Sequence, residues 1–307
     1  MGGPSNGGGA SNGHAAGGLE AMFSALPPID RTPKLFVGGK QVRPDSGYSR
    51  LVVSPDGSVL GEVGEGNRKD VRNAVEAAHA SPWTAVSGHA RAQILFYVAE
   101  NLAQRTREFV ERLCGMDGRP ADLAARGVER AIERFFAYAA WADKYAGRVQ
   151  GTPIHGITVA VHEPIGVVAV VCDDACPLLQ FVSPVAPALA MGNAVVAVPS
   201  ARHPLAAIDL YQVFETSDVP PGAVNIVTGD GDALAGVLAG HDDVGAIWYA
   251  GSDDGARQVE LASAGNLKRV WIASRPRREW FSSEQGEGEE FLREATQVKN
   301  IWVPAAG

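Results

Sequence analysis

An α/β fold with a doubly wound, Rossmann-like parallel sheet is predicted by three observations. Residues 167–171 and 194–198 are short β-branched runs without polar alternation, the pattern of strands covered by helices on both faces. Between them, residues 177–191 form an apolar crossover closed by Gly192-Asn193, the residue types that most readily take the left-handed turn ending a helix. The resulting βαβ unit is then repeated downstream. Helices are expected at residues 205–214, 232–239 and 253–264, and strands at 224–227, 246–249 and 267–272. Right-handed crossovers in such a sheet place ligands beyond the C-terminal ends of the strands.

The other elements follow in chain order. Residues 1–31 are rich in Gly, Ser, Asn and Ala and read as a disordered leader or linker, because they cannot bury enough apolar surface to offset their ordering entropy. A small antiparallel cap is expected from residue 34, with turns at Gly38-Gly39 and Pro55-Asp56-Gly57. Asn67 is placed to cap a first helix, with Val71, Val75 and Ala78 on one face. A second starts near His89, a third runs from Glu108 to a stop at Gly115, and a long amphipathic one carries Val128, Ile132, Phe135 and Ala139. Residues 148–162 alternate around Gly151 and Gly156, which predicts a β-hairpin apart from the parallel sheet. After Ile272 the pattern collapses. Residues 273–290 read as a loop-like connector, and 291–307 as a tail with a short helix and a last strand over 298–303.

Composition excludes several classes. With Lys+Arg 27 against Asp+Glu 35, the net charge is -8, which argues against a nucleic-acid surface. The most apolar window, residues 178–198, is interrupted by prolines and by Gly192-Asn193, so it reads as a buried crossover and not a membrane span. Three cysteines, Cys114, Cys172 and Cys176, are too few for a disulfide framework and, with no secretory signal at Met1, point to the cytoplasm.

Five stretches carry a resemblance: HEPIGVV at 162–168, PALAMGNAVV at 187–196, DVPPGAVNIVTGDG at 218–231, YAGSDDGAR at 249–257 and NLKRV at 266–270. In this order they resemble the aldehyde dehydrogenase superfamily. The leader and tail look most like the second, degenerate module of the family-16 members. The resemblance implies a coenzyme-binding domain over 34–272, with oligomerisation strands at about 148–162 and in the tail. It also implies chemistry by a cysteine thiolate, a glutamate base, an oxyanion-holding asparagine and NAD. Here the asparagine position falls on Ala175 and the base on Ala273, and the segment that would bear the nucleophile is missing. No catalytic residue is therefore assigned, and 273–290 stands where a catalytic domain would be inserted.

Cys172 and Cys176 lie at the end of the first strand, but Asp173 and Asp174 would raise a thiol pKa there. Their spacing is not a zinc signature, and no metal site is expected. For the cofactor, Gly229 sits with Asp230 and Gly231 at a strand-to-helix turn of the kind that lets a nucleotide approach the backbone, and the pair Gly251-Ser252 matches the family's pyrophosphate contact. Val198 and Ala201 replace the ribose-binding lysine and its acidic neighbour. Asp253 and Asp254 add negative charge at a helix N-terminus, where they read as caps. NAD binding is thus expected to be weak or lost. Arg275, Arg277 and Arg278 read as part of a solvated connector or of a partner-binding loop. The leading reading is a non-catalytic module used for self-association, or for contact with another aldehyde dehydrogenase module or protein partner. The alternatives are an NAD(P)-dependent enzyme active only with another module, and an NAD-binding sensor. An objection attaches to the tail: with no catalytic domain to bridge, its strand needs some other edge.

Overall fold

The apolar runs at residues 167–171 and 194–198 form neighbouring parallel strands, β7 (Val167–Val171) and β8 (Ala194–Val198), with every residue buried. The computed structural model describes residues 1–3, 34–151, 153, 155–273 and 278–304. Internal contacts divide the chain into Met1–Thr32 and Pro33–Gly307, and the second unit carries every strand and helix given below. Beyond Gly3, the expected leader lies outside the described residues.

Seven strands make the main sheet, in the order β11 (Arg269–Ile272), β10 (Ala246–Tyr249), β7, β8, β9 (Val224–Ile226), β1 (Leu35–Val37) and β2 (Lys40–Val42). The run from β11 to β9 is parallel throughout. β1 and β2 were expected in a separate cap, yet they extend this sheet as an antiparallel edge. Gly38 and Gly39 explain the tight hairpin, since both have positive φ, 62° and 73°. The Gly38 amide then donates to Asn225 Oδ1 in β9 at 2.9 Å, which holds the hairpin against the sheet. β3 (Ser49–Val53) and β4 (Val59–Gly64) do form a two-stranded sheet of their own.

Helices cover both faces. On one side pack α1 (Arg68–His79), α7 (Gly231–Ala239) and α8 (Asp253–Ser263), against Val167, Ala169 and Val171 of β7. On the other pack α2 (Gly88–Gln104), α3 (Thr106–Asp117), α4 (Ala121–Trp141), α5 (Leu179–Ala190) and α6 (Leu205–Glu215), against Val168 and Val170. Each fully buried valine is worth about 1.5–3 kcal/mol, so this two-sided burial, rather than any single polar contact, stabilises the sheet. Asn67 caps α1 through a capping box with Asp70. α3 runs through Gly115 and ends at Gly118, whose φ of 71° makes the left-handed stop.

The crossover helix α5 is buried along its whole length although it contains Pro184 and Pro187. Pro184 has no N–H for the Gln180 carbonyl one turn earlier. The Cys172 thiol donates to that carbonyl at 3.5 Å, so the cysteine repairs a defect that the proline creates. At the helix end, Trp83 Nε1 donates to Leu189 O at 3.0 Å and Arg91 Nε to Ala190 O at 2.9 Å. Asn193, fully buried, accepts from the amides of Ile165 and Gly166 at 2.7 and 3.0 Å and donates to Ala188 O and Ala295 O at 3.1 and 2.8 Å. All four hydrogen-bonding sites of its amide are used.

A third sheet stands apart, made of β5 (Gly147–Gln150), β6 (Gly156–Pro164) and β12 (Thr296–Pro304). The last strand therefore finds its edge within the chain. It pairs with β6 along its whole length, from Thr296 opposite Pro164 to Pro304 opposite Gly156. Between α9 (Glu289–Glu294) and β12 the chain turns at Ala295, the residue that Asn193 holds.

Candidate functional site: the C-terminal ends of the sheet

The turn from β9 into α7 places Gly229 against Gly66 and Leu234, where a Cβ would come within 2.9 Å of Leu234 Cδ1 and 3.2 Å of Gly66 O. Close packing, together with a φ of 157°, thus favours a glycine there without any ligand. Asp230 caps α7 by accepting from the Ala233 amide at 2.9 Å. The turn from β10 into α8 is capped by Ser252, whose Oγ accepts from the Gly255 amide at 2.9 Å. The capping expected of Asp253 and Asp254 belongs to Ser252, and the two carboxylates lie in the first turn, Asp254 paired with Arg257.

The two turns meet through residues that the sequence had not singled out. Asp232, in the first turn of α7, accepts from the Ser252 hydroxyl at 2.9 Å and from the Tyr249 phenol. Burial, reinforced by the hydrogen bond to Asp232, pushes the Tyr249 phenol up to about 12. The Tyr249 hydroxyl lies over the two glycines of the turn, so a Cβ at Gly251 or Gly255 would overlap it. The Gly255 Cβ would also stand 2.7 Å from Asp232 Oδ1. No spacing rule points to this pair, because the contact spans two turns and seventeen residues. A cleft of about 850 Å³ runs between α1 and α7, lined by Arg68, Lys69, Arg72 and His241 among others, but not by Gly229, Gly251 or Ser252.

At the end of β7 the groups with polar side chains are already engaged. Asp173 accepts from the Ala175 amide at 2.7 Å, and Asp174 from Ser200 Oγ at 2.5 Å and the Arg202 amide at 3.1 Å. Ala175 offers no side-chain donor, and Ala273, at the end of β11, is a buried methyl. Burial pushes the Cys172 thiol well up, with Asp173 adding to it. The half-buried Cys176 thiol is also raised by burial, against the opposing pull of Arg119. Neither is an activated thiolate.

The connector packs here instead of trailing in solvent. Residues 274–277, and with them Arg275 and Arg277, lie outside the described residues. Arg278 stacks over Trp271 at 4.7 Å and Phe291 at 5.4 Å and donates to Ala273 O and Gln285 O, both at 3.0 Å. Trp280 is buried, and the buried Arg134 donates to its carbonyl and to Ser183. Beneath Trp280 a cavity of only about 10 Å³ remains, among Val170, Gln180, Trp248, Trp271 and Phe291. The Gln180 side-chain amide and Trp248 Nε1, which border it, have no hydrogen-bond partner among the described residues. The space matches about one water molecule and is far too small for an organic substrate. Among the described residues no cluster of His, Cys, Asp or Glu could hold a metal ion. Nor is any helix among them long and apolar enough to cross a membrane.

Comparison with known proteins accords with this architecture. The model of the aldehyde dehydrogenase family matches residues 42–274. Rat retinaldehyde dehydrogenase 3 is 36% identical over 248 residues, which are 78% of this chain and 48% of that protein. Human mitochondrial aldehyde dehydrogenase is 34% identical over 268 residues, 82% of this chain and 51% of that one. Among solved structures, PnpE in complex with nicotinamide adenine dinucleotide superposes with a TM-score of 0.75 at 31% identity, over 78% of this chain and 50% of that one. PnpE from Pseudomonas sp. WBC-3 gives 0.74 at the same identity and coverage. The chain thus spans about half the length of the relatives it matches. The five motifs, the parallel sheet and these matches agree, and the chain belongs to the aldehyde dehydrogenase family.

Proposed function

We propose that this chain is a non-catalytic aldehyde dehydrogenase module, similar to the second module of the family-16 members, that works by associating with a second copy of itself or with another aldehyde dehydrogenase module. Residues 34–272 act as the retained coenzyme-type domain, and 273–290 stand in place of the catalytic domain. Ala175 and Ala273 support the loss of chemistry, since neither side chain can donate a hydrogen bond or take a proton. The filled turn at Gly251 and Gly255 does not fit a phosphate and supports weak or lost NAD binding. The three cysteines are free, which fits a cytoplasmic setting.

The observation that carries the associative reading is β12. Except for Thr296, its residues are exposed, one edge pairs with β6, and the other meets no strand among the described residues. Val149, Val159 and Ile301 lie in register on one face, with Ile157 and Val303 beside them, and Ile157 and Val303 are 57% and 54% exposed. Such an edge and face are stable in solution only when paired or covered. Antiparallel pairing of two β12 strands about Asn300 sets Lys299 opposite Ile301 and Val298 opposite Trp302, so no like charges meet. Deleting residues 298–307 is expected to leave a monomer in light scattering. An oligomer that survives the deletion contradicts this interface, and NAD-dependent aldehyde oxidation lost on mutating one cysteine contradicts the absence of catalysis.

A further inference from the structure

We infer that Asp232 and Tyr249 are a built-in occupant of the phosphate-binding turn at the N-terminus of α8, and that this pair is what keeps a dinucleotide out. The inference deepens the reading of lost NAD binding by naming the residues responsible. A phosphate at this turn needs three things: backbone approach over glycine, the Ser252 hydroxyl as donor, and the positive end of the helix. All three are present and all three are used. The space over Gly251 and Gly255 is filled by the Tyr249 hydroxyl and, at Gly255, by Asp232 Oδ1. The Ser252 proton goes to Asp232 Oδ2 at 2.9 Å, while its oxygen accepts from the Gly255 amide. The positive helix end faces carboxylates of the chain itself, Asp232 beside Ser252 and Asp253 and Asp254 in the first turn. The Asp232 carboxylate brings to this turn the negative charge that a phosphate would bring and takes the Ser252 proton that a phosphate would take. The turn is therefore satisfied without a ligand, and an entering phosphate must displace an internal anion as well as meet its repulsion.

Asp232 is exposed, so its replacement does not threaten folding. The test compares the whole chain with Asp232→Asn, Asp232→Ala and Asp232→Ala/Tyr249→Phe. NAD and ADP-ribose are titrated by calorimetry, the backbone amide signals of Gly251 and Gly255 are followed by NMR, and circular dichroism checks each fold. The wild type is expected to show no saturation at millimolar ligand. The double variant should gain at least tenfold in affinity for both ligands, with both glycine amides shifting and a smaller gain in Asp232→Asn. Saturable binding by the wild type at micromolar NAD would overturn both this inference and the reading of lost cofactor binding. If the wild type is inert and every folded variant is equally inert, only the occupant inference falls. It falls equally if affinity rises while the two glycine amides stay unmoved, because the ligand then binds elsewhere.

Discussion

The main sheet and the three-stranded sheet are built from the same kind of backbone pairing in opposite surroundings. In β7 and β8 every residue is buried, whereas in β12 all but Thr296 are exposed. The first sheet is finished by its own helices, and the second is paired internally but uncovered. Strand formation alone therefore does not separate a structural core from an uncovered surface in this molecule. What separates them is whether the chain supplies the covering layer.

The contrast is most directly broken at Asn193. Asn193→Ala removes four side-chain hydrogen bonds, leaving the Ile165 and Gly166 amides and the Ala295 carbonyl without that partner while Ala188 O keeps the Asn193 backbone amide, and is expected to cost about 4 kcal/mol in urea unfolding. A loss under about 1 kcal/mol would show that the junction is not part of the core. Trp280→Ala empties the cover over β7 and β10 and should cost about 3 kcal/mol, read as a lowered melting temperature. In the outer sheet, Trp302→Thr should leave the stability of the isolated subunit within about 0.5 kcal/mol. The same change should weaken self-association at least tenfold in sedimentation. If it destabilises the subunit as strongly as the core changes do, the two sheets are not distinct in kind.

The smallest effect lies at the end of β10. Because the Tyr249 phenol is raised from 10.0 to about 12, the folded chain keeps a proton that the unfolded chain has already released across that interval. Its stability contribution is present below about 10 and is lost as pH rises to about 12. Ultraviolet titration should show two late tyrosines, Tyr249 and the Tyr138 phenol that burial also raises, and Asp232→Ala should bring down the midpoint of Tyr249 alone.

The buried sheet was legible because apolar runs without alternation have few other solutions, and the crossover and its Gly192-Asn193 turn followed from them. Less visible was what Asn193 does, since three of its four partners belong to other elements or to the far end of the chain. Gly115 read as a helix stop because glycine favours one, yet the turn that needs positive φ is at Gly118. The connector read as solvated from its charges, but Arg278 lies over both Trp271 and Phe291, a tertiary contact that composition cannot reveal. At the candidate site, Gly251 and Ser252 were singled out by the resemblance of their motif. Their actual partners, Tyr249 and Asp232, depend on how the two turns come together.

The hydrogen bond from Asn193 to Ala295 joins residues 102 apart. During synthesis, the first βαβ unit leaves the ribosome long before its buried asparagine can meet its last acceptor. Until then the side-chain amide in the turn before β8 has one bond to make with water instead. Completion of this hydrogen-bonded junction is thereby tied to the arrival of Ala295. A chain cut short before Ala295 would carry a fault in its centre rather than merely a missing end.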